Sequence, residues 1–496
     1  MQAPDRPLTP LDLAAANSVR FGTSGLRGLV VDMDREVCFA FTSAFLQTVA
    51  ANSPRVALAM DLRPSSPEIA AACAAAISHA DLIVDNCGAI PTPALAYYAQ
   101  TQGIPAIMVT GSHIPFDRNG MKFYGETGEI TKADEDRILH VAVRIPKNEL
   151  TILLPAVNHS ARQHYVDRYL QLFPAQCLAG MQLGIYEHSS VARDLLREIM
   201  EGLGAEVISL GRTDEFVPID TEAVSADDVW QARRWADEYG FDAIISTDGD
   251  GDRPLIGDEL GNWFRGDIVG ILCAQFLQAQ AVVTTVSCTT AVELSDSFSS
   301  VIRTRIGSPY VIEAIDKLLK RGEKSVLGFE PNGGVLVGSN LEKSGRALTP
   351  LLTRDAVLPI LCVLAMAREK GCKVSELRHR LPARFTASDR LQSVATETSQ
   401  QILTGIAASP KKASEFLFGL GGKVTGFDQT DGLRLFLETD EIIHFRPSGN
   451  APEFRCYAES ASQERSDWLV QECLVRIKTE LEVLDTRKQS TPGRNS

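Results

Sequence analysis

The sequence predicts an α/β protein: three similar mixed α/β domains plus a C-terminal α+β domain around a central cleft. Three observations predict it. Short apolar strands alternate with helices in three successive runs, which is the pattern of βαβ units feeding a mainly parallel sheet. The last strand of each run leads straight into a polar loop, and open α/β sheets bind ligands beyond the carboxyl ends of their strands. After about residue 385 the texture changes to short strands without intervening helices.

The first run reads as strand Val56–Met60, helix Pro67–His79, strand Leu82–Asp85, helix Ala94–Gln102 and strand Ala106–Thr110, then the polar loop Gly111–Lys122. The second opens on Gln182–Tyr186, passes a helix over 191–203, strand Glu206–Leu210 and a helix over 225–239, and ends in Ala243–Thr247 before Asp248–Arg253. The third starts at Ala281–Thr285, continues through strand Val301–Ile306 and a helix over 309–320, and ends in Ser325–Phe329 before Glu330–Gly334. Element order alone suggests the repeat, since residue-level self-similarity is weak. Strands at Val424–Phe427, Leu433–Leu437 and Glu441–Phe445 and a helix over 462–484 form the α+β part. The expected boundaries are 1–162, 163–268, 269–385 and 386–496. The tail Arg487–Ser496 has nothing to bury and reads as disordered.

At 496 residues the chain exceeds one hydrophobic core. A hydrophobic fraction of 44% and a charged fraction of 23% are those of an ordinary globular protein. The longest apolar stretch, Ala356–Ala367, is too short to span a bilayer and reads as a buried helix. The formal charge of −14 argues against nucleic-acid binding, which needs a basic surface. The first residues lack the basic start and apolar block of a secretory signal. Ten cysteines without CxxC pairs read as reduced thiols, so the expected location is cytoplasmic, with no membrane partner.

Two loops carry the chemistry. Val109-Thr110-Gly111-Ser112-His113-Ile114-Pro115, followed by Asn119-Gly120-Met121-Lys122, sets a hydroxyl beside an imidazole and an amine on a turn. Alone it is as well read as a polar turn with a capping serine. GxSxG is absent around Ser112, so a serine-hydrolase elbow is not the competitor. Asp248-Gly249-Asp250-Gly251-Asp252-Arg253 alternates three carboxylates, expected on one side of an extended loop that wraps a hard cation. A calcium loop of the EF-hand kind is the nearest rival. Glu259 falls at its twelfth position, but Arg253 stands at the sixth, where glycine is required, and the preceding segment is strand-like. Mg²⁺ is therefore expected, with Arg253 as a phosphoryl clamp. Arg446-Pro447-Ser448-Gly449-Asn450 with Arg455 gathers a phosphate cradle, and Arg27, after a glycine turn, is a candidate anion contact.

These pieces, in this order, resemble the α-D-phosphohexomutase superfamily of phosphomannomutases and phosphoglucomutases, from about Phe21 to Glu459. The resemblance implies Ser112 as a phosphoserine, with Ser112, Asp248, Asp250 and Asp252 around Mg²⁺. It implies the Glu330 loop, with Asn332 and Gly333, as the sugar reader. Arg446, Ser448, Gly449, Asn450 and Arg455 become the holder of the distal phosphate. His113, Lys122, Arg253 and Arg27 become the catalytic contacts, and either His113 or Lys122 is the candidate base. Asp61-Leu62-Arg63 and Thr92-Pro93 also look like family positions, structural in role. Three positions depart from the family pattern: Ile114 replaces the asparagine after Ser-His, Gly334 the histidine of Glu-x-Ser-Gly-His, and Asn450-Ala451-Pro452 stands where Thr-Glu-Pro is common.

The activity this implies is interconversion of hexose 1-phosphate and hexose 6-phosphate through a 1,6-bisphosphate, which also serves as activator. Mannose phosphate is favoured, then glucose phosphate, then glucosamine phosphate. A metal-dependent sugar phosphatase would share the acidic loop but release inorganic phosphate. A non-enzymatic sugar-phosphate sensor would bind without turnover. Oligomeric state is not legible in the sequence.

Overall fold

In the computed structural model, residues 8–22, 25–147, 150–448 and 452–490 are described. The chain divides into two compact units: 1–284 with 297–302 and 307–380, and 285–296 with 303–306 and 381–496.

The first unit holds three large sheets, built largely as the alternating pattern predicts, and a two-stranded ribbon of Leu341–Lys343 and Arg346–Leu348. In the first, Arg55–Met60 lies between Ile83–Ala89 and Ala106–Val109, parallel to both. The sheet then turns antiparallel through Arg118–Gly125 and Leu26–Leu29. Arg118–Gly125 corrects the expectation of a loop reaching Lys122. Its Asn, Gly and Lys disguise the apolar alternation of a strand, yet it pairs on both edges, so Lys122 stands opposite Met108 on a strand and not on a turn. The second sheet runs Pro254–Gly257, Ala243–Thr247, Gln182–Tyr186, Glu206–Leu210. In the third, Ala281–Thr285 pairs parallel with Val326–Phe329 and the sheet continues antiparallel through Val335–Val337 to Leu351–Asp355. The strand expected at Val301–Ile306 is Ser300–Thr304.

Helices Ser66–His79, Thr92–Gln102 and Gly266–Phe276 are rich in buried small and aliphatic side chains, as helices packed on parallel sheets must be. The apolar stretch at 356–367 is helix Val357–Lys370, buried continuously from Val357 to Ala367. Among the described residues no helix is long and apolar enough to cross a membrane.

The second unit carries a five-stranded antiparallel sheet in the order Phe385–Gln392, Glu453–Ser460, Ile442–Pro447, Leu433–Leu437, Val424–Asp428. Its core joins Leu435, Ile443, Phe445, Phe454 and Cys456 to Leu469, Cys473 and Ile477 of the terminal helix. That helix runs Gln463–Ser490, so residues 487–490 are helical and the disordered tail expected from Arg487 is corrected over them. Helix propagation costs little once a packed helix is nucleated, which carries the polar end beyond the last buried residue.

Candidate active site

The Ser112 loop begins where strand Ala106–Val109 ends, and its shape is held from below by Asp61 and Arg63. Asp61 Oδ2 accepts from Thr110 Oγ1 at 2.7 Å, and Thr110 Oγ1 in turn accepts from the Ser112 N–H at 2.8 Å. Arg63, buried, donates to the carbonyls of Ser112 (2.7 Å), Ile114 (2.5 Å), Pro115 (2.8 Å) and Arg118 (2.9 Å). One guanidinium thus closes the loop around four carbonyls. Ser112 adopts φ +53°, a left-handed conformation that costs an L-residue free energy and persists because this network overdetermines it.

The acidic loop is a closed turn, which corrects the extended loop expected from the alternation. The Asp248 N–H donates to the Arg253 carbonyl (3.0 Å), and Gly251 at φ +69° returns its N–H to the Asp248 carbonyl (3.2 Å). The turn brings the three carboxylates together with ligand oxygens within 4.8 Å of one another, all buried. Ser112 Oγ donates to Asp248 Oδ2 at 2.6 Å. Lys122 Nζ lies 2.6 Å from Asp250 Oδ2 and 2.7 Å from Asp252 Oδ2, and Thr92 Oγ1 donates to Asp250 Oδ2 at 2.5 Å. Thr92 therefore touches the acidic loop directly. Asp250 Oδ1 and Asp252 Oδ1 are buried without a hydrogen-bond partner. Buried carboxylate oxygens left unpaired are costly. Two such atoms beside a third carboxylate and a hydroxyl form an all-oxygen donor set that fits a hard divalent cation.

Arg253 Nε sits 3.7 Å from Asp252 and 4.0 Å from Asp248. Arg27 donates to the Gly111 carbonyl at 3.0 Å. His113 Nδ1 lies 3.3 Å from Ser112 Oγ. Glu330 accepts from Ser308 Oγ and Arg354 Nη1, each at 3.3 Å, while Asn332 Oδ1 accepts the Gly334 N–H at 3.0 Å and the Asn332 carbonyl accepts from Thr221 Oγ1 at 2.9 Å. Gly333 closes the turn by donating to the Glu330 carbonyl at 3.0 Å.

The electrostatics follow the packing. Burial, with Asp250 and Asp252 adding, pushes Asp248 well up. Burial and Asp252 also raise Asp250, but Lys122 and Thr92 outweigh them and hold it below the usual range. Burial opposes the charge on Asp252, but Arg354, Lys122 and Arg253 hold it low. Lys122 is raised despite its burial because Asp250 and Asp252 keep it charged. Burial and then Arg253 and Arg27 hold His113 well below its ordinary range, so it is neutral. Burial, then Arg253, lowers Arg27 to about 10.

The first unit thus brings together Ser112, His113, Lys122, Asp248, Asp250, Asp252, Arg253, Arg27 and, through Arg354, Glu330. Arg354 was not among the residues singled out in the sequence: it lies in the strand Leu351–Asp355, with no motif around it. In the second unit Arg446 and Arg455 are register partners across two antiparallel strands. Arg446 pairs with Asp431 at 3.0 Å and Arg455 with Glu453 at 3.1 Å, and the Ser448 N–H donates to the Glu453 carbonyl at 2.8 Å. Gly449, Asn450 and Ala451 lie outside the described residues.

Residues 18–149 match the family model for phosphoglucomutase/phosphomannomutase α/β/α domain I, and residues 265–385 match that for domain III. The chain is 48% identical over 472 residues to a phosphomannomutase of Salmonella muenchen, covering 95% of this chain and 98% of that one. It is 42% identical over 474 residues to a phosphomannomutase of Sinorhizobium fredii, covering 93% and 99%. Its fold matches a phosphoglucomutase/phosphomannomutase family protein of Burkholderia thailandensis with a TM-score of 0.70 at 19% identity, over 95% and 98% of the two chains. Identity of this extent across whole chains leaves one assignment: the chain is an enzyme of the phosphoglucomutase/phosphomannomutase family, within the α-D-phosphohexomutase superfamily.

Proposed function

We propose that this enzyme is a phosphomannomutase that interconverts mannose 1-phosphate and mannose 6-phosphate, with glucose phosphates as slower substrates. The observation that carries the reaction class is the Ser112 hydroxyl on Asp248, beside two carboxylate oxygens with no hydrogen-bond partner and the paired Lys122. The choice of sugar rests on the name shared by the two relatives above 40% identity.

In this reading Ser112 carries the phosphoryl group in the resting enzyme, having received it from hexose 1,6-bisphosphate, which acts as activator. The Oγ–P bond breaks as the free sugar hydroxyl bonds to phosphorus, and the proton of that hydroxyl passes to a base. The resulting 1,6-bisphosphate reverses its orientation, and Ser112 Oγ takes back the other phosphoryl group. Lys122 is held charged by two carboxylates, which suits it to contact phosphoryl oxygens and not to accept a proton. His113, with Nδ1 3.3 Å from Ser112 Oγ, takes the role of base in this reading because it stands beside the transferring oxygen. Arg253 and Arg27 add positive charge where the transferring oxygens gather. Glu330, in the loop shaped by Asn332 and Gly333, reads sugar hydroxyls, and Arg446, Ser448, Gly449, Asn450 and Arg455 hold the phosphate that does not react. Asp248, Asp250, Asp252 and an oxygen of Ser112 would hold Mg²⁺, whose charge neutralises equatorial oxygens in the transition state. Ten free cysteines support a reducing, cytoplasmic setting.

The test is a coupled mutase assay with Mg²⁺ and catalytic hexose 1,6-bisphosphate, comparing kcat/KM for mannose, glucose and glucosamine 1-phosphates while free phosphate is monitored. Isomerisation without phosphate release, fastest for mannose, is expected. Phosphate release alone would make the enzyme a phosphatase, and a lead for glucosamine phosphate would replace the substrate.

A further inference from the structure

Arg354 is buried at the end of strand Leu351–Asp355 and joins two loops that are distant in sequence. Its Nε and Nη2 donate to Asp252 Oδ2 at 3.2 and 2.8 Å, and its Nη1 donates to Glu330 Oε1 at 3.3 Å and to the Ser308 hydroxyl. Its stem lies flat on Gly334. A Cβ added at Gly334 would meet Arg354 Cβ, Cγ and Cδ at 2.7 to 2.8 Å, closer than carbon atoms approach. The φ of Gly334 is not left-handed, so no backbone demand explains the glycine. What its missing side chain provides is room for Arg354. The strand is anchored one residue further on, where Asp355 accepts from Tyr165 and Tyr169 and caps helix Val357–Lys370. A planar guanidinium held by a fixed strand sets both of its carboxylate partners by geometry as well as by charge.

We propose that Arg354 is the positioning residue for Glu330, holding the sugar-reading carboxylate in fixed relation to the acidic loop, and that Gly334 and Arg354 form a matched pair in which the glycine admits the arginine. The proposal rests on the reading of Glu330 as the sugar contact. Arg354 itself touches no reacting atom; it acts through Glu330 and Asp252. Loss of such a supporting contact typically costs about 10- to 100-fold in activity.

The experiment is steady-state kinetics with mannose 1-phosphate for Arg354→Met, Arg354→Lys, Arg354→Gly, Gly334→Ala and the double variant Gly334→Ala/Arg354→Gly, with a crystal structure of Arg354→Met. Arg354→Met should lower kcat/KM about 10- to 100-fold with a clear rise in KM, and Arg354→Lys should recover part of it. A purely structural role would reduce the active fraction and leave KM unchanged. Gly334→Ala should be severely impaired alone, yet add little to Arg354→Gly, which removes every side-chain atom the new methyl would meet. Unchanged KM in both Arg354→Met and Arg354→Lys, or additive losses in the double variant, would overturn the pairing. If the Met variant does not fold, the lysine variant and the glycine cycle decide. Should the wild-type enzyme turn over no hexose phosphate, the functional reading fails, and the position of Glu330 in the Arg354→Met crystal decides this proposal: a displaced carboxylate supports it and an unmoved one overturns it.

Discussion

Ser112 Oγ donates to Asp248 Oδ2 at 2.6 Å across 136 positions of sequence. The hydroxyl of one α/β run therefore rests on the first carboxylate of the next, and each depends on the other for its place. Ser112→Ala should abolish both turnover and the transfer of phosphate from labelled hexose 1,6-bisphosphate into protein. Stability should fall by about 1–3 kcal/mol, the cost of leaving the buried Asp248 oxygen without its donor. Labelled protein recovered from this variant would remove Ser112 from the reaction.

Asp250→Asn preserves shape but removes one negative charge from the trio. The Mg²⁺ concentration for half-maximal activity should rise at least about 10-fold, and chelator-treated wild-type enzyme should regain activity on adding Mg²⁺. An unchanged metal titration would exclude the acidic loop as the metal site.

Lys122, on a strand of a different sheet, neutralises two buried carboxylates of the acidic loop. Lys122→Met should destabilise the metal-free protein by roughly 3–5 kcal/mol, the usual cost of stranding a buried charge. Millimolar Mg²⁺ should restore part of the loss, because a cation bound to the same carboxylates replaces the missing charge. Equal melting temperatures for variant and wild type without metal would refute the charge-balance account.

His444 is buried, donates from Nε2 to the Asp431 carbonyl at 2.6 Å and stacks on Tyr457. Burial, aided by Arg434 and Arg446, lowers its pKa to about 4. In the unfolded chain it takes up a proton below about pH 6.5, whereas in the folded chain it stays neutral until about pH 4. The unfolded state thus binds more protons in that window, and stability falls as pH drops from about 6.5 to 4, by roughly 1.4 kcal/mol per unit. Denaturant unfolding at pH 7 and pH 5 should show this slope reduced in His444→Gln relative to wild type. Parallel slopes would mean that folding does not lower the pKa of His444.

Much of the fold was legible because local pattern and tertiary role agree. Strands Gln182–Tyr186, Glu206–Leu210, Ala243–Thr247 and Ala281–Thr285 stand where the apolar runs place them, since strands of a covered parallel sheet are nearly continuous in apolar residues. Two of the strands that escaped notice carry polar residues. Arg118–Gly125 holds Lys122 in its middle, and Phe385–Gln392 lies at a sheet edge with exposed polar side chains on one face. Asp61 and Arg63, which looked structural in the sequence, shape the Ser112 loop, and Thr92 bonds Asp250 directly.

The sequence by itself determined the chemistry available to this protein: a hydroxyl and an imidazole on one loop, three carboxylates on another, a glutamate on a third, each at the end of an apolar strand. Those assignments depend on residue type and short spacing, which the linear chain contains in full. Only the tertiary structure decided which groups meet. Lys122 on the acidic loop, Arg63 beneath the Ser112 loop, and Arg354 over Gly334 are contacts between residues separated by tens to hundreds of positions. Hydrogen bonds and ion pairs act over a few ångströms, so such partners are chosen by how the sheets pack and leave no local trace in the chain.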